Sequence, residues 1–216
     1  MYEQSSDDLY LDVSTASCKS EQMSYELFTA DGKRKYLTND ERERFLAAAA
    51  RHHRGEVRTF CMVMAYTGCR ISEALQLTAD RVDLSARTLA FQTLKQRGKI
   101  RYRAIPVPDA LLDALDLVHQ VRKAQRMKLG GKDTLLWSWG RTQATKHIWA
   151  VMAQANIVGP HATPKGLRHG FGVKAAADTR NPRLVQKWLG HRNLETTVIY
   201  MDVVGDEERD MASRMW

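Results

Sequence analysis

Lys165-Gly166-Leu167-Arg168-His169 is followed by Leu189-Gly190-His191 and then by Thr196-Thr197 and Tyr200. Thr163-Pro164 ahead of it reads as an N-cap and a first helical residue. Lys165 and Arg168 therefore lie near the start of one helix, over about 164–178, and share a face. Gly190 reads as the C-cap of a second helix, 183–189, and Tyr200 falls on a third, 195–203. Each residue has an ordinary explanation when taken singly. An arginine that begins a helix is usually a solvated charge, a tyrosine on an amphipathic helix is usually packing, and a histidine after Gly190 can simply follow a helix end. Their spacing is more specific: His191 follows Arg168 by 23 residues and Tyr200 follows His191 by 9.

Working outward, Thr67-Gly68-Cys69-Arg70-Ile71-Ser72-Glu73-Ala74-Leu75 places an arginine and a glutamate at the start of a short helix, about 71–77. Before it, Leu37-Thr38-Asn39-Asp40-Glu41 supplies a capping box and a helix start, with Thr38 as N-cap. A largely buried helix fits 57–66, ended by Gly68. Residues 88–94 and 101–107 alternate as paired strands across the basic turn Lys95-Gln96-Arg97-Gly98-Lys99. Leu111, Leu112, Leu115, Val118 and Val121 then recur at helical spacing, a further helix fits 141–155, and a last short one begins near 206. The layout is α+β, mainly helical, with a small antiparallel β-sheet.

Arg70, Lys95, Lys165, Arg168, His191 and Tyr200, in that order and with the Leu-Gly-His and Thr-Thr-x-x-Tyr contexts, resemble the catalytic domain of the tyrosine recombinases, the phage integrase family. The resemblance covers about residues 37–205. It implies that family's DNA breaking-rejoining catalytic fold and a site-specific enzyme that cuts and rejoins double-stranded DNA. Tyr200 would be the nucleophile and hold the DNA end as a 3′-phosphotyrosine. The chemistry suits the residue types: a phosphorane gains negative charge, planar arginine forks such as Arg70 and Arg168 match its oxygens, and a phenol ionises more easily than an aliphatic hydroxyl. By the same resemblance Lys95 is the general acid for the departing 5′-oxygen and His191 donates to the phosphate. At Lys165 the family more often has histidine, which leaves the acceptor of the tyrosine proton open. Glu73 either orients neighbouring catalytic side chains or is a plain surface carboxylate, and His169 is expected to give structural support. The competing readings are a type IB topoisomerase-like enzyme and an inactive DNA-binding derivative of a recombinase.

The resemblance also implies a homo-tetramer on DNA. In such an assembly the C-terminal Met211, Ala212, Met215 and Trp216 dock on a neighbour or pack on their own domain. An accessory DNA-binding protein belongs to the same expectation. Most relatives carry a separate core-binding domain, whereas this chain resembles the short single-domain type, such as the fimbrial-switch invertases, or a degenerate or separated catalytic domain. The division expected here is an acidic flexible arm with a basic junction, 1–36, followed by the catalytic domain, 37–216, with the core-binding domain absent.

Charge agrees with a polyanionic partner. The net charge is +8 over 216 residues, yet residues 1–32 hold seven acidic side chains against Lys19 alone. The remainder is therefore 32 basic against 18 acidic residues, or +14. Lys33, Arg34, Lys35, Arg97, Lys99 and Arg101 are the expected DNA contacts, and the arm is expected to compete with DNA at low ionic strength. Cys18, Cys61 and Cys69 show neither disulfide nor zinc spacing, so no metal and no cofactor is expected. No stretch reaches the length of a membrane span, and a cytoplasmic, nucleoid-associated protein is expected.

Overall fold

In the computed structural model, residues 27–96, 99–127, 131, 133–202, 213 and 215 are described, with backbone alone at 94–96, 99 and 100. The first helix, α1 (Asn39–Ala50), starts where the capping box places it: Thr38 accepts from the Glu41 amide and the Glu41 carboxylate accepts from the Thr38 amide. Such a cap stabilises a helix by about 1 kcal/mol. The central helix α2 (Gly55–Thr67) buries Val57, Phe60, Cys61, Met64 and Ala65 and ends on Gly68, whose φ of 58° is the left-handed conformation glycine adopts without strain.

Helix α3 (Ile71–Ala74) is shorter than the sequence reading, because the chain turns at Leu77 to give its carbonyl to the Leu136 amide, 2.9 Å, beside the Thr78–Leu135 bridge. The sheet is three-stranded and antiparallel in the order β1 (Val82–Asp83), β2 (Thr88–Gln96), β3 (Lys99–Pro106). Its two-residue first strand is too short to leave a periodic signal. In β2–β3 the register pairs Leu89 with Ile105 and Phe91 with Arg103, which sends Arg103, Ile105 and Val107 to the buried face.

The leucine-rich periodicity expected to run through Val121 is broken into α4 (Asp109–His119) and α5 (Val121–Arg126) by Gln120, at φ 52°. Helices α6 (Arg141–Gln154), α7 (Pro164–Thr179) and α8 (Pro182–Leu189) follow the expected bounds closely. The next helix, α9 (Glu195–Val198), is four residues long. Beyond it the Tyr200 and Met201 amides bond three residues back, to Thr197 and Val198, so the coil tightens. The helix expected near 206 lies outside the described residues.

Two apolar clusters divide the molecule. The larger joins α1–α6 and the sheet, and it takes Leu167 from α7. The smaller joins Leu27, Phe171, Ala175, Ala176, Val185, Leu189 and Tyr200. Helix α7 lies between them, and Arg168 and His169 sit where the two meet.

Only the last ten residues of the arm and junction expected over 1–36 are described. Residues 1–26 lie outside the described structure, but 27–36 fold onto the domain. Leu27 is buried, the Lys35 amide donates to the Leu27 carbonyl at 2.7 Å, and Phe28 bridges Arg34. Burial of Leu27 and the packing of Tyr36 on the second cluster supply the apolar gain that a free arm lacks.

Candidate active site

Helix α3 positions the first arginine. Arg70 is its N-cap; its amide donates to Glu73 Oε2 at 2.8 Å and its Nη1 to Glu73 Oε1 at 3.0 Å. Glu73 is no surface carboxylate: its side chain is 1% exposed. Both its oxygens also accept from Arg103, Nη1 at 3.1 Å and Nη2 at 2.6 Å, and Arg103 Nε donates to the Trp188 carbonyl at 2.8 Å. Burial pushes the Glu73 carboxyl up, but the Arg103 fork and the Arg70 amide outweigh it and hold it below its ordinary 4.5. The carboxylate thus fixes Arg70 between strand β3 and the end of α8.

Arg103 is the residue the sequence reading missed. The missed signal is alternation itself: position 103 shares the core face with Ile105 and Val107, and a charge there requires a buried partner.

Helix α7 supplies the second arginine. Thr163 caps it, accepting from the Gly166 amide at 3.0 Å. Arg168 is buried and donates from Nη1 to the Gly68 carbonyl at 2.7 Å and from Nη2 to the Leu189 carbonyl at 2.8 Å. These two carbonyls belong to the C-terminal ends of α2 and α8, where helix dipoles carry partial negative charge. Burial, with Arg70 nearby, lowers the Arg168 pKa to about 10, so it stays a cation at neutral pH.

Tyr200 is 1% exposed. Its hydroxyl lies 2.8 Å from His169 Nδ1, and its ring stacks on His191 with centroids 6.0 Å apart. Gly172 makes room for that ring, since a Cβ there would lie 2.6 Å from Tyr200 Cε1. Burial raises the phenol pKa to about 12, although Arg168 and Arg70 pull the other way. His169, expected only to support the fold, therefore contacts the expected nucleophile directly. No sequence signal places α7 against the residues after α9. His191 Nδ1 pairs with Thr197 Oγ1 at 3.0 Å.

Arg70, Lys165, Arg168, His169, His191 and Tyr200 line one cleft of about 420 Å³, joined by Arg141 from the start of α6, which the sequence did not mark. Lys95 lies on β2, and its side chain, like that of Lys99 and the whole of Arg97, is outside the described residues. Among the other expected DNA contacts, Lys33 pairs with Asp31 at 2.8 Å and Lys35 is half-buried. Arg34 is already engaged by Glu41, through both guanidinium ends, and by the Tyr36 carbonyl. Arg101 is exposed beside His191. Cys61 and Cys69 are buried free thiols, and among the described residues no cluster of metal-ligating side chains occurs. No described helix is long and apolar enough to cross a membrane.

The neutral histidines have a measurable consequence. Burial, then neighbouring cations (Lys165 and Arg168 for His169, Arg168 and Arg70 for His191), lowers both from an ordinary 6.5 to about 3. Between those values the unfolded chain binds more protons than the folded one, so stability is present above about pH 6.5 and is lost as pH falls. From pH 7 to pH 5 each histidine is expected to cost up to about 2 kcal/mol. The urea midpoint should drop accordingly, and drop less in His169→Asn. An equal midpoint at both pH values refutes the shift; Glu41, held at about 2, titrates below this window.

The phage integrase family profile matches residues 35–206. The tyrosine recombinase XerD of Staphylococcus haemolyticus (strain JCSC1435) is 28% identical over 158 residues, 71% of this chain and 52% of the relative. XerD of Staphylococcus saprophyticus subsp. saprophyticus (strain ATCC 15305 / DSM 20229 / NCIMB 8711 / NCTC 7292 / S-41) is likewise 28% identical, over 159 residues and 52% of its length. The chain thus spans about half the length of the curated relatives it matches. Among solved structures, XerA recombinase superposes with a TM-score of 0.66 at 23% identity, covering 83% of this chain and 64% of that one. The XerH site-specific recombinase bound to a palindromic difH substrate gives 0.67 at 22%, covering 83% and 52%. The catalytic domain of bacteriophage HP1 integrase gives 0.57 at 23%, covering 77% and 86%. The helical layers around a small antiparallel sheet are those of recombinase catalytic domains, and with most of its length matched by the profile the chain belongs to the phage integrase family.

Proposed function

We propose that the chain is the catalytic domain of a site-specific DNA recombinase, cutting and rejoining strands through a 3′-phosphotyrosyl link at Tyr200. The observation that carries this is the convergence of Arg70, Arg168, His191 and Tyr200 on one cleft. A phosphodiester in that cleft meets two guanidinium groups that need not reorganise as charge develops. We assign the Thr197 hydroxyl, 3.0 Å away, as donor to Nδ1, which puts the His191 proton on Nε2 as a third donor. The Tyr200 oxygen gives up its proton to water in the cleft and forms the new bond to phosphorus, the bond to the 5′-oxygen breaks, and Lys95 donates a proton to that oxygen. Resealing reverses the step, so no nucleotide is consumed.

In the resting site His169 takes a hydrogen bond from the phenol and not its proton, because its pKa of about 3 lies far below the phenol's value of about 12. Lys165 adds positive charge to the same cleft. The family's DNA-bound relatives support double-stranded DNA as partner, and the XerH structure carries its difH substrate. Within the same reading the active assembly is a homo-tetramer on DNA, helped by an accessory DNA-binding protein, and the protein works at the nucleoid in the cytoplasm. A core-binding function is then supplied from outside residues 37–216.

The test is a covalent adduct. Incubation with a nicked cognate duplex, without metal or nucleotide, should give a detergent-resistant protein–DNA species whose linked peptide contains Tyr200. A species linked at another residue, or one that needs magnesium, overturns the assignment.

A further inference from the structure

A second cleft, about 600 Å³, opens between strand β3 and helix α8 and shares His191 with the catalytic cleft. Its lining includes Arg101, Arg183, Lys187 and Arg192 and no acidic residue. All four cations are exposed. Some cations elsewhere pair with carboxylates, Arg44 with Asp40, Arg54 with Glu56, Arg87 with Asp109, Arg122 with Asp116 and Lys174 with Asp178, while Arg51, Lys123, Arg126, Arg141 and Lys146 are exposed and outside every ion pair among the described residues. What sets the four apart is that they line one cleft together. Among the described residues no carboxylate lies within ion-pair distance of Arg101, Arg183, Lys187 or Arg192. The cleft floor does not dilute the charge either, because the buried Arg103 there is already matched by Glu73.

We propose that this cleft holds the DNA backbone next to the reacting phosphate, with Arg101, Arg183, Lys187 and Arg192 as its phosphate contacts. The sequence hides three of the four. Arg183 and Lys187 are the outward positions of α8, whose Val185 and Leu189 turn into the second cluster, and Arg192 lies two residues past the Gly190 cap. A small free anion needs one or two donors. Four cations spread from β3 to the turn after α8 suit a polymer carrying a charge every ~3.4 Å of axis along each strand. Tyr102, 58% exposed on the same wall and covered by the Arg81 guanidinium at 5.4 Å, offers a flat face to the sugars. The inference rests on the recombinase reading only for the identity of the polyanion.

The experiment measures equilibrium binding of the full chain to a labelled duplex of arbitrary sequence across a salt series. Arg183→Gln, Lys187→Gln and Arg192→Gln should each make the slope of log K against log salt shallower by about 0.9. Together they should remove about 2 to 3 from it. Lys123→Gln, an exposed lysine by another cleft, removes the same charge elsewhere and should leave the slope where it was. An unchanged slope in the triple variant overturns the proposal, and so does an equal loss from Lys123→Gln, which would mean net charge alone. Because arbitrary DNA is bound without chemistry, a missing Tyr200 adduct would defeat the recombinase reading and leave this measurement standing.

Discussion

Tyr200→Phe is expected to abolish the covalent adduct entirely while leaving DNA affinity and its salt dependence within experimental scatter. The hydroxyl is the only atom removed, and it lies beneath the surface against His169, so no phosphate contact in either cleft is lost. The fold should survive. Loss of a net hydrogen bond costs about 1 kcal/mol, and an orphaned buried partner raises that to about 1–3 kcal/mol. His169 Nε2 is already a buried nitrogen without a partner among the described residues, so the variant leaves the whole imidazole unsatisfied. For a chain of this size the melting temperature should fall by roughly 2–10 °C. An adduct that persists in the phenylalanine variant places the nucleophile elsewhere, and a variant that neither folds nor binds shows Tyr200 to be chiefly a packing residue.

That prediction draws on two kinds of residue, one visible in the sequence and one hidden from it. Thr38 with Glu41, Gly68 and Gly190 could be read in advance because capping is local chemistry, settled within a few residues. Arg70, Arg168, His191 and Tyr200 are marked by their resemblance to the family's pattern, and the fold brings the four to one cleft. The contact between His169 and Tyr200 spans 31 residues and depends on how α7 packs against the turn after α9, which no periodicity encodes. Arg103 was hidden for a different reason: an arginine inside an alternating strand looks like an interruption until its partner Glu73, 30 residues away, is brought to it. Arg34 looked like part of a basic run facing solvent, yet the burial of Leu27 folds it back onto Glu41. Charge counted along the chain therefore overstated which cations face outward near the start and overlooked those of α8.

Arg168 bears the second large expectation, because in the proposed mechanism one side chain carries both chemistry and architecture. Its guanidinium closes on the last carbonyls of two helices, Gly68 after α2 and Leu189 in α8. Arg70 lies two residues past the first and His191 two residues past the second. The clamp thus sets the spacing of Arg70 and His191, the other phosphate contacts of the proposed mechanism, as well as contributing its own charge. Arg168→Ala should lower the single-turnover cleavage rate by about 100- to 1000-fold from lost charge stabilisation alone. It should also cost about 2–4 kcal/mol of stability, from two buried carbonyls left without donors. Arg168→Lys separates the two effects. An ammonium keeps the charge but is a single point that cannot span both carbonyls in a planar fork. Lysine should then recover part of the denaturant midpoint and little of the rate, since Arg70 and His191 would no longer be held at one separation. A lysine variant cleaving within tenfold of the parent would show that charge suffices and that the clamp on the two helix ends is incidental to catalysis.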